Sequence, residues 1–278
     1  PPREIFKGLL GGTLMGIGSA LSFGCNIGGF FSATSALSLG GPAMMIGLIV
    51  GSFIGLKFLI WEITYLSPSV FKRSASDSND DGKSKSQQPK VGGILLLVGL
   101  GLVFTYDHFD YSTRGVFLLF GLIIGILMQR TRFCFVRAFR DPFMTGESEA
   151  TRAVALAVVI SAIGFSILKW TDLKDWDVFV SPGFWTGSLL GGIIFGVGMS
   201  FSGGCGTSSL WRAGEGQIKL WFSIIAFAIS GSLFREWLDQ SGWLMKIGEP
   251  LFLPELIGWN MGILAVVLFM ILWYIIAV

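Results

Sequence analysis

Apolar residues occur in long blocks separated by short polar or glycine-rich interruptions. A membrane-spanning helix needs about 20 apolar residues at a rise of about 1.5 Å each. Residues 43–61 (AMMIGLIVGSFIGLKFLIW) and 151–169 meet that length, and further spans are predicted near 218–236 and 254–276. Apolar segments also cover 91–106 and 115–129, separated by the polar loop 107–114. Trp61 and Tyr65 suit an interfacial belt, as do Trp170 and Trp176 in the exposed loop 170–182. Transmembrane barrels read as ten-residue segments of alternating polarity, and no stretch here does. The predicted fold is therefore an all-α polytopic membrane protein.

One stretch is used twice. Residues 9–25 read LLGGTLMGIGSALSFGC and 189–205 read LLGGIIFGVGMSFSGGC. A constant offset of 180 aligns Gly11, Gly12, Gly16, Gly18, Ser22, Gly24 and Cys25 with Gly191, Gly192, Gly196, Gly198, Ser202, Gly204 and Cys205. The register holds to Gly51-Ser52 against Gly231-Ser232. Glycines four apart let helix backbones approach in a bilayer, so helix packing accounts for them. It does not account for a cysteine at the same place in both copies. Breaks at corresponding positions of two halves point to a transporter's binding site. The first apolar run, 9–23, is short for a span, and the small, hydroxyl-rich IGGFFSATSALSLGGP follows it. Residues 9–39 thus read as a broken helical element around Cys25, enclosed in protein or lining a cavity.

The polar segment 67–90 (SPSVFKRSASDSNDDGKSKSQQPK) is expected to be a flexible soluble linker. Its five Lys and Arg place it on the cytoplasmic side. It divides the chain into a first repeat unit, 1–66, and a longer membrane unit, 91–278, that holds the other two cysteines. Composition agrees with a membrane protein: 52% of residues are hydrophobic, 14% charged, and the mean hydropathy is +0.70. A net charge of +2 gives no basis for nucleic-acid binding. Three cysteines spaced 109 and 71 residues apart form neither a disulfide framework nor a CxxC pair. With His108 the sole histidine, no zinc or haem site is expected and no cofactor is called for. Because Pro1 is not an initiator methionine, the chain is expected to be processed or a fragment; residues 1–8 read as a short charged lead, not a signal peptide.

Chemistry concentrates in three places. Arg130, Arg132, Arg137 and Arg140 against Asp141 leave three net positive charges around Cys134. Arginine at membrane depth is costly and so marks function, unless these side chains snorkel to the interface. Asp141 is expected to pair with one of them, Arg137 or Arg140. Arginine forks suit oxyanions, and an electropositive setting activates a thiol. Cys25 and Cys205 each end a helix, with a following half-helix offering N–H groups. Asn26 and Ser32 follow Cys25; Thr207, Ser208 and Ser209 follow Cys205, with Arg212 and Glu215 as an expected ion pair. A lone buried cysteine is usually a small hydrophobe, and a soft metal ion is a weaker alternative. Gly24 and Gly204 shape the two turns.

The stretches QRTRFCFVRAFRDPFMTG (129–146), GGCGTSSLWRAGEGQ (203–217) and SFGCNIGGFFSATSALSL (22–39) resemble the YeeE/YedE family of bacterial inner-membrane sulfur-transport proteins. FGCNIGGFF is similar to the YedE branch, associated with selenium metabolism. The resemblance implies an hourglass-like helical protein, its repeat inverted, with short re-entrant helices and loops meeting near the bilayer centre. It implies that Cys25, Cys134 and Cys205 are stations of a thiol relay passing a thiosulfate-like or selenium anion inward, with the basic motif around Cys134 holding the anion. By the same analogy, an intracellular sulfur carrier receives it. Family members commonly carry further N-terminal helices, and the thiosulfate importers place their first cysteine in a module like that around Cys134.

The leading reading is a permease, not an enzyme. A sulfur-terminated anion is a soft acceptor for weak thiol donors, and neutral thiols release an ion more readily than arginines would. A membrane thiol enzyme moving sulfur or reducing equivalents is the alternative, as is a non-catalytic subunit in which glycines and cysteines only pack.

Overall fold

A computed structural model describes residues 2–65, 92–93, 96–105, 112–171, 173, 175, 178, 185–243 and 251–276. The expected linker 67–90, the loop 107–114 for most of its length, and Trp176 lie outside the described residues. In chain order the helices are α1 (Pro2–Leu21), α2 (Asn26–Ser35, π-helical over Asn26–Ser32), α3 (Gly40–Tyr65), α4 (Leu96–Thr105), α5 (Ser112–Thr131), α6 (Phe135–Met144), α7 (Glu149–Trp170), α8 (Trp185–Ser202), α9 (Gly206–Gly214), α10 (Ile218–Ser241), α11 (Leu253–Ile257) and α12 (Trp259–Ile276). Six segments among the described residues are long and apolar enough to cross a membrane. Counting α1 with α2, which are bent by 41° at Cys25, makes seven. The chain is a polytopic, all-α membrane protein.

By contact the chain falls into two units, Pro1–Ser67 with Phe133–Val278, and Pro68–Arg132. The sequence had set 91–278 apart as a longer second unit; contacts instead group the first repeat copy with everything after Phe133. The smaller unit holds α4 and α5, which meet where Gly99 faces Leu122.

The charged lead proves helical, so α1 begins well before the apolar run. Its charges are neutralised in place. Lys7 pairs with Glu4 at 3.0 Å and with Glu62 of α3 at 2.9 Å, Lys219 of α10 reaches Glu4 at 2.9 Å, and Arg3 also bonds Glu62. Glu62 is buried, and its two cations are what make that tolerable.

Four helices, α1, α3, α8 and α10, form the centre of the larger unit, and the glycines of the repeat set their packing. A Cβ on Gly11 would lie 2.7 Å from the Gly198 carbonyl oxygen, and one on Gly198 would lie 2.7 Å from that of Gly11. Gly18 and Gly191 block each other in the same way at 2.6 Å. Facing numbers fall on α8 as they rise on α1, so these two helices run antiparallel. Shifting either contact by the repeat offset of 180 turns it into the other. Gly12 abuts Ser223 of α10, and its counterpart Gly192 abuts Met44 of α3. Each copy's first helix therefore packs on the third helix of the other copy.

The remaining helices complete the core. Phe30 of α2 meets Phe139 of α6 edge to face, with centroids 5.4 Å apart, and Trp273 of α12 at 6.1 Å. Lys169, buried near the end of α7, donates to the Ala36 carbonyl at 3.1 Å and lies over the Phe252 ring. It satisfies the carbonyl just past the end of α2, while the Ser32, Ala33 and Thr34 carbonyls accept from the Ala36, Ser38 and Leu37 N–H groups. An isolated bridge between Ser38 and Phe252 ties that turn to the chain entering α11.

Candidate functional site

All three cysteines occupy one kind of turn. Each is the N-cap of a helix: Cys25 of α2, Cys134 of α6 and Cys205 of α9, all in extended conformation. Two residues earlier stands a left-handed residue, Phe23 (φ 57°), Arg132 (φ 50°) or Gly203 (φ 77°). That residue interrupts the helix without turning the chain back: α1 and α2 are bent by 41° across Cys25, and Trp185–Gly214 runs as one span across Cys205. Only at Gly203 is the conformation free of Cβ strain. α1 ends at Leu21 and α8 at Ser202, just before Cys25 and Cys205. The structure puts them at the start of the following helices, where N–H groups and the positive end of the helix dipole lie.

Ser208 joins two of these turns. The Cys134 thiol donates to its Oγ at 3.0 Å, and the Cys205 thiol lies 3.3 Å from the same oxygen. The two thiols also interact with one another. The Cys205 backbone N–H donates to Ser208 Oγ at 2.9 Å, and the Ser208 hydroxyl donates to the Cys205 carbonyl at 3.3 Å. The Ser208 N–H in turn donates to Cys205 Sγ at 3.4 Å, closing a capping box. A serine oxygen has two acceptor positions. One is held by the Cys205 N–H, so two thiols compete for the other. The S–H that does not reach it has only the other cysteine's sulfur, a weak acceptor, within the pair.

Cys25 is half-buried and stands apart from the pair, yet close to it. A Cβ on Gly206 would lie 3.9 Å from Cys25 Cβ, so only this glycine separates Cys25 from the Cys205 turn. Cys25 lines a cavity of about 310 Å³ with Met15, Gly206, Thr207, Ser209 and Ser223. Asn26 is buried behind it; its Nδ2 donates to Met199 Sδ at 3.8 Å and its Oδ1 has no partner among the described residues. Ser202 donates to Met15 Sδ at 3.8 Å. The centre of the larger unit is rich in polarisable sulfur.

The basic residues are placed differently from the thiols. Asp141 holds both of its candidate partners, Arg137 at 3.1 Å and Arg140 at 3.1 Å, and Arg137 also reaches Glu147 at 3.4 Å. Arg212 makes no ion pair with Glu215; its Nη1 donates to the Gly203 carbonyl at 2.6 Å. It thereby anchors the turn before Cys205. Arg130 and Arg132 are exposed and belong to the smaller unit. Among the described residues no arginine hydrogen-bonds a cysteine. Gly24 and Gly204 fit tightly: Cβ atoms there would lie 2.6 Å from Gly29 N and 2.8 Å from Ser209 Oγ. No three His, Cys, Asp or Glu side chains among the described residues gather as a metal-ligand set. Ser208 is the residue that sequence reasoning undervalued, as one of three hydroxyls after Cys205; its N3 position after an N-cap was the available signal.

Comparison with known proteins follows the same residues. Along 237 residues the chain is 28% identical to the probable transporter YedE of Escherichia coli (strain K12), covering 85% of this chain and 58% of that protein. It is 32% identical over 118 residues to the thiosulfate transporter TsuA of the same organism, covering 42% of this chain and 33% of TsuA. The thiosulfate transporter TsuA of Spirochaeta thermophila is 31% identical over 143 residues, 50% of this chain and 42% of that protein. The chain thus spans little more than half the length of the YedE relatives it matches. No solved structure matches it. The profile described as sulphur transport matches residues 1–54 and 130–278, which include all three cysteine turns, and the chain belongs to that family.

Proposed function

We propose that the protein is a permease of the bacterial inner membrane that imports a small sulfur-terminated anion of the thiosulfate type along Cys25, Cys205 and Cys134. The observation that carries this reading is the convergence of three free thiols on three helix-starting turns, two of them sharing Ser208. Helix N-termini attract anions without a cationic side chain. α6 and α9 both begin at a thiol of the pair, so weak S–H donors stand where the backbone already favours negative charge. Such an arrangement holds an ion and lets it go, as conduction requires. The arginines at 137, 140 and 212 serve the geometry of the turns. The antiparallel pairing of α1 and α8 supports an inverted repeat, with its two-fold axis across the helices. Two of the relatives are named thiosulfate transporters, which supports this substrate class, and a third is named a probable transporter without a substrate.

A membrane thiol enzyme is the second reading, favoured by one observation, the adjacency of Cys134 and Cys205. Uptake of labelled thiosulfate decides between them, in cells lacking their own importers, with wild type and the three single Cys→Ala variants compared. Selenite and sulfate serve as competitors, and selenite competition would move the substrate toward selenium. Cys134→Ala is expected to abolish uptake while expression stays near wild type, because removing one thiol costs little packing. Full uptake in that variant overturns the relay. A substrate-dependent Cys134–Cys205 disulfide without net uptake establishes the enzyme. An intracellular sulfur carrier as recipient follows only if imported label is found bound to protein.

A further inference from the structure

We propose that the groove between α7 and α12 holds a membrane phospholipid, its phosphate on the Arg152 guanidinium and one acyl chain along the groove. Arg152, Ala155 and Val159 are three and four residues apart on α7 and so share one face. Ala155 and Val159 line a groove of about 230 Å³ whose other wall is α12. Its floor, at Ala155 and Met270, is buried, while Leu156 and Ile271 at its rims are exposed. Both helices are membrane spans, so a rim exposed in this way faces lipid. The small side chain of Ala155 leaves the room that a longer one would fill. The two helices run antiparallel: Arg152 meets Tyr274 at one end and Trp170 meets Trp259 at the other. At about 1.5 Å per residue, the step from Arg152 to Val159 covers about 10 Å of α7, from the first turn of a span toward the bilayer centre. Helical side chains lean toward the N-terminus, so Arg152 leans toward the membrane surface. A cation near the surface with an apolar groove descending from it has the order of a lipid, headgroup first and chain below.

The state of Arg152 gives an independent reason. Among the described residues its side chain has no ion pair and no hydrogen bond, and its Nε is buried without an acceptor. Its guanidinium lies over the Tyr274 ring, with Cζ 5.6 Å from the centroid, and Tyr274 itself lines the groove. A ring face attracts the charge but accepts none of the five N–H groups in the guanidinium plane. The acids nearby in the chain leave it unneutralised. Asp141 is held by Arg137 and Arg140, Glu147 by Arg137, and Glu149, three residues before Arg152, makes no pair with it. A buried donor without an acceptor is costly unless a ligand completes it. A guanidinium fork matches phosphate oxygens two at a time, and tyrosine rings favour the headgroup level of a bilayer. Inorganic phosphate would use the arginine and not the groove, and diacylglycerol the groove and not the arginine. A phospholipid uses both.

The test is native mass spectrometry of the full chain, delipidated in detergent and titrated with phosphatidylglycerol, dioleoylglycerol or inorganic phosphate. Wild type is expected to hold one phosphatidylglycerol more tightly than any further copies. Arg152→Gln is expected to weaken that first binding at least about tenfold, since hydrogen bonds to charged groups are the strong ones. Lys57→Gln is the matched control, because Lys57 is also an exposed cation over a ring, 4.8 Å from the Phe53 centroid, and it is expected to change nothing. Ala155→Leu, which fills the groove with the arginine in place, is expected to weaken binding as Arg152→Gln does. Equal phosphatidylglycerol binding by wild type and Arg152→Gln overturns the site. So does dioleoylglycerol binding as tight as phosphatidylglycerol, which would leave a groove for chains alone, or displacement of the lipid by inorganic phosphate, which would leave a free-anion site. A wild type that carries a second copy of the chain and no lipid overturns it as well. If the variants do not fold, photo-crosslinking of wild type decides. Phosphatidylglycerol with a diazirine on its acyl chain is expected to label 155–159 and 270–274 above the other lipid-facing helices, and even labelling overturns the proposal.

Discussion

Replacing Ser208 by alanine removes one oxygen atom and disturbs four contacts. The Cys205 backbone N–H, at 2.9 Å from that oxygen and buried, loses its acceptor. A buried donor left unsatisfied costs about 1–3 kcal/mol. The Cys134 thiol loses its acceptor at 3.0 Å, worth about 0.6 kcal/mol as a side-chain hydrogen bond in a membrane protein. The bond to the Cys205 carbonyl is long at 3.3 Å and adds little. Ser208→Ala is therefore expected to destabilise the protein by about 2–3 kcal/mol. Ser188→Ala is the matched comparison. Ser188 is as deeply buried but its hydroxyl has no partner, so its removal is expected to be neutral or stabilising by up to about 1 kcal/mol. Thermal unfolding of both variants in the same detergent measures the difference. Uptake of thiosulfate by Ser208→Ala is expected to fall in kcat more than in KM, because the thiol pair is misaligned while the Cys25 cavity is untouched. Equal melting temperatures for the two variants, or wild-type transport by Ser208→Ala, would refute the bridging role.

Two further changes probe the frame that holds the turns. Gly18→Val forces side-chain atoms into the α8 backbone 2.6 Å away and is expected to abolish folded protein in the membrane, whereas Gly164→Ala on α7 meets nothing within 4 Å and is expected to gain about 0.5–1 kcal/mol from helix propensity; size-exclusion profiles after extraction separate them. Asp141→Ala frees Arg137 and Arg140 together and is expected to cost only about 1 kcal/mol, because Arg137 is half-exposed and its pairing is screened; a loss of uptake without a loss of melting temperature would show that the arginines act on the ion and not on the turn.

Periodicity and the repeat made most of the frame legible. Glycines that recur at fixed spacing in two copies have a single physical use, close backbone approach, and Gly11, Gly18, Gly191 and Gly198 are used for it. The helical start of α1 was hidden because Glu4 and Lys7 read as a polar lead; Glu62, the partner of Lys7, is 55 residues away in the chain and Lys219, the partner of Glu4, is 215 away. The kinship of the Cys134 turn with the other two was also hidden. Arg132 sits in the left-handed region that Gly203 occupies, and no residue pattern announces an arginine there. Proximity of Cys134 to Ser208 across 74 residues is a tertiary fact, beyond what spacing conveys.

Where the two copies match, they build; where they differ, the chemistry becomes one-sided. Cys25 and Cys205 share nearly one backbone conformation, φ −76°, ψ −170° against φ −81°, ψ 171°. Yet Cys205 has its capping box with Ser208, and Cys25 faces Gly28 at the matching position and has no side-chain cap bond. A Cβ on Gly28 meets nothing nearer than the Phe23 carbonyl oxygen at 4.0 Å, so a serine fits there without moving the backbone. Gly28→Ser is expected to stabilise α2 by about 1–2 kcal/mol, from a restricted unfolded chain and a new cap. The same hydroxyl would accept the Cys25 S–H and compete with an incoming ion for it. The variant is thus expected to melt higher and to take up thiosulfate with a raised KM. A higher melting point with unchanged KM would mean that the Cys25 proton is not what the ion meets first, and that the path begins at the Cys134 and Cys205 pair.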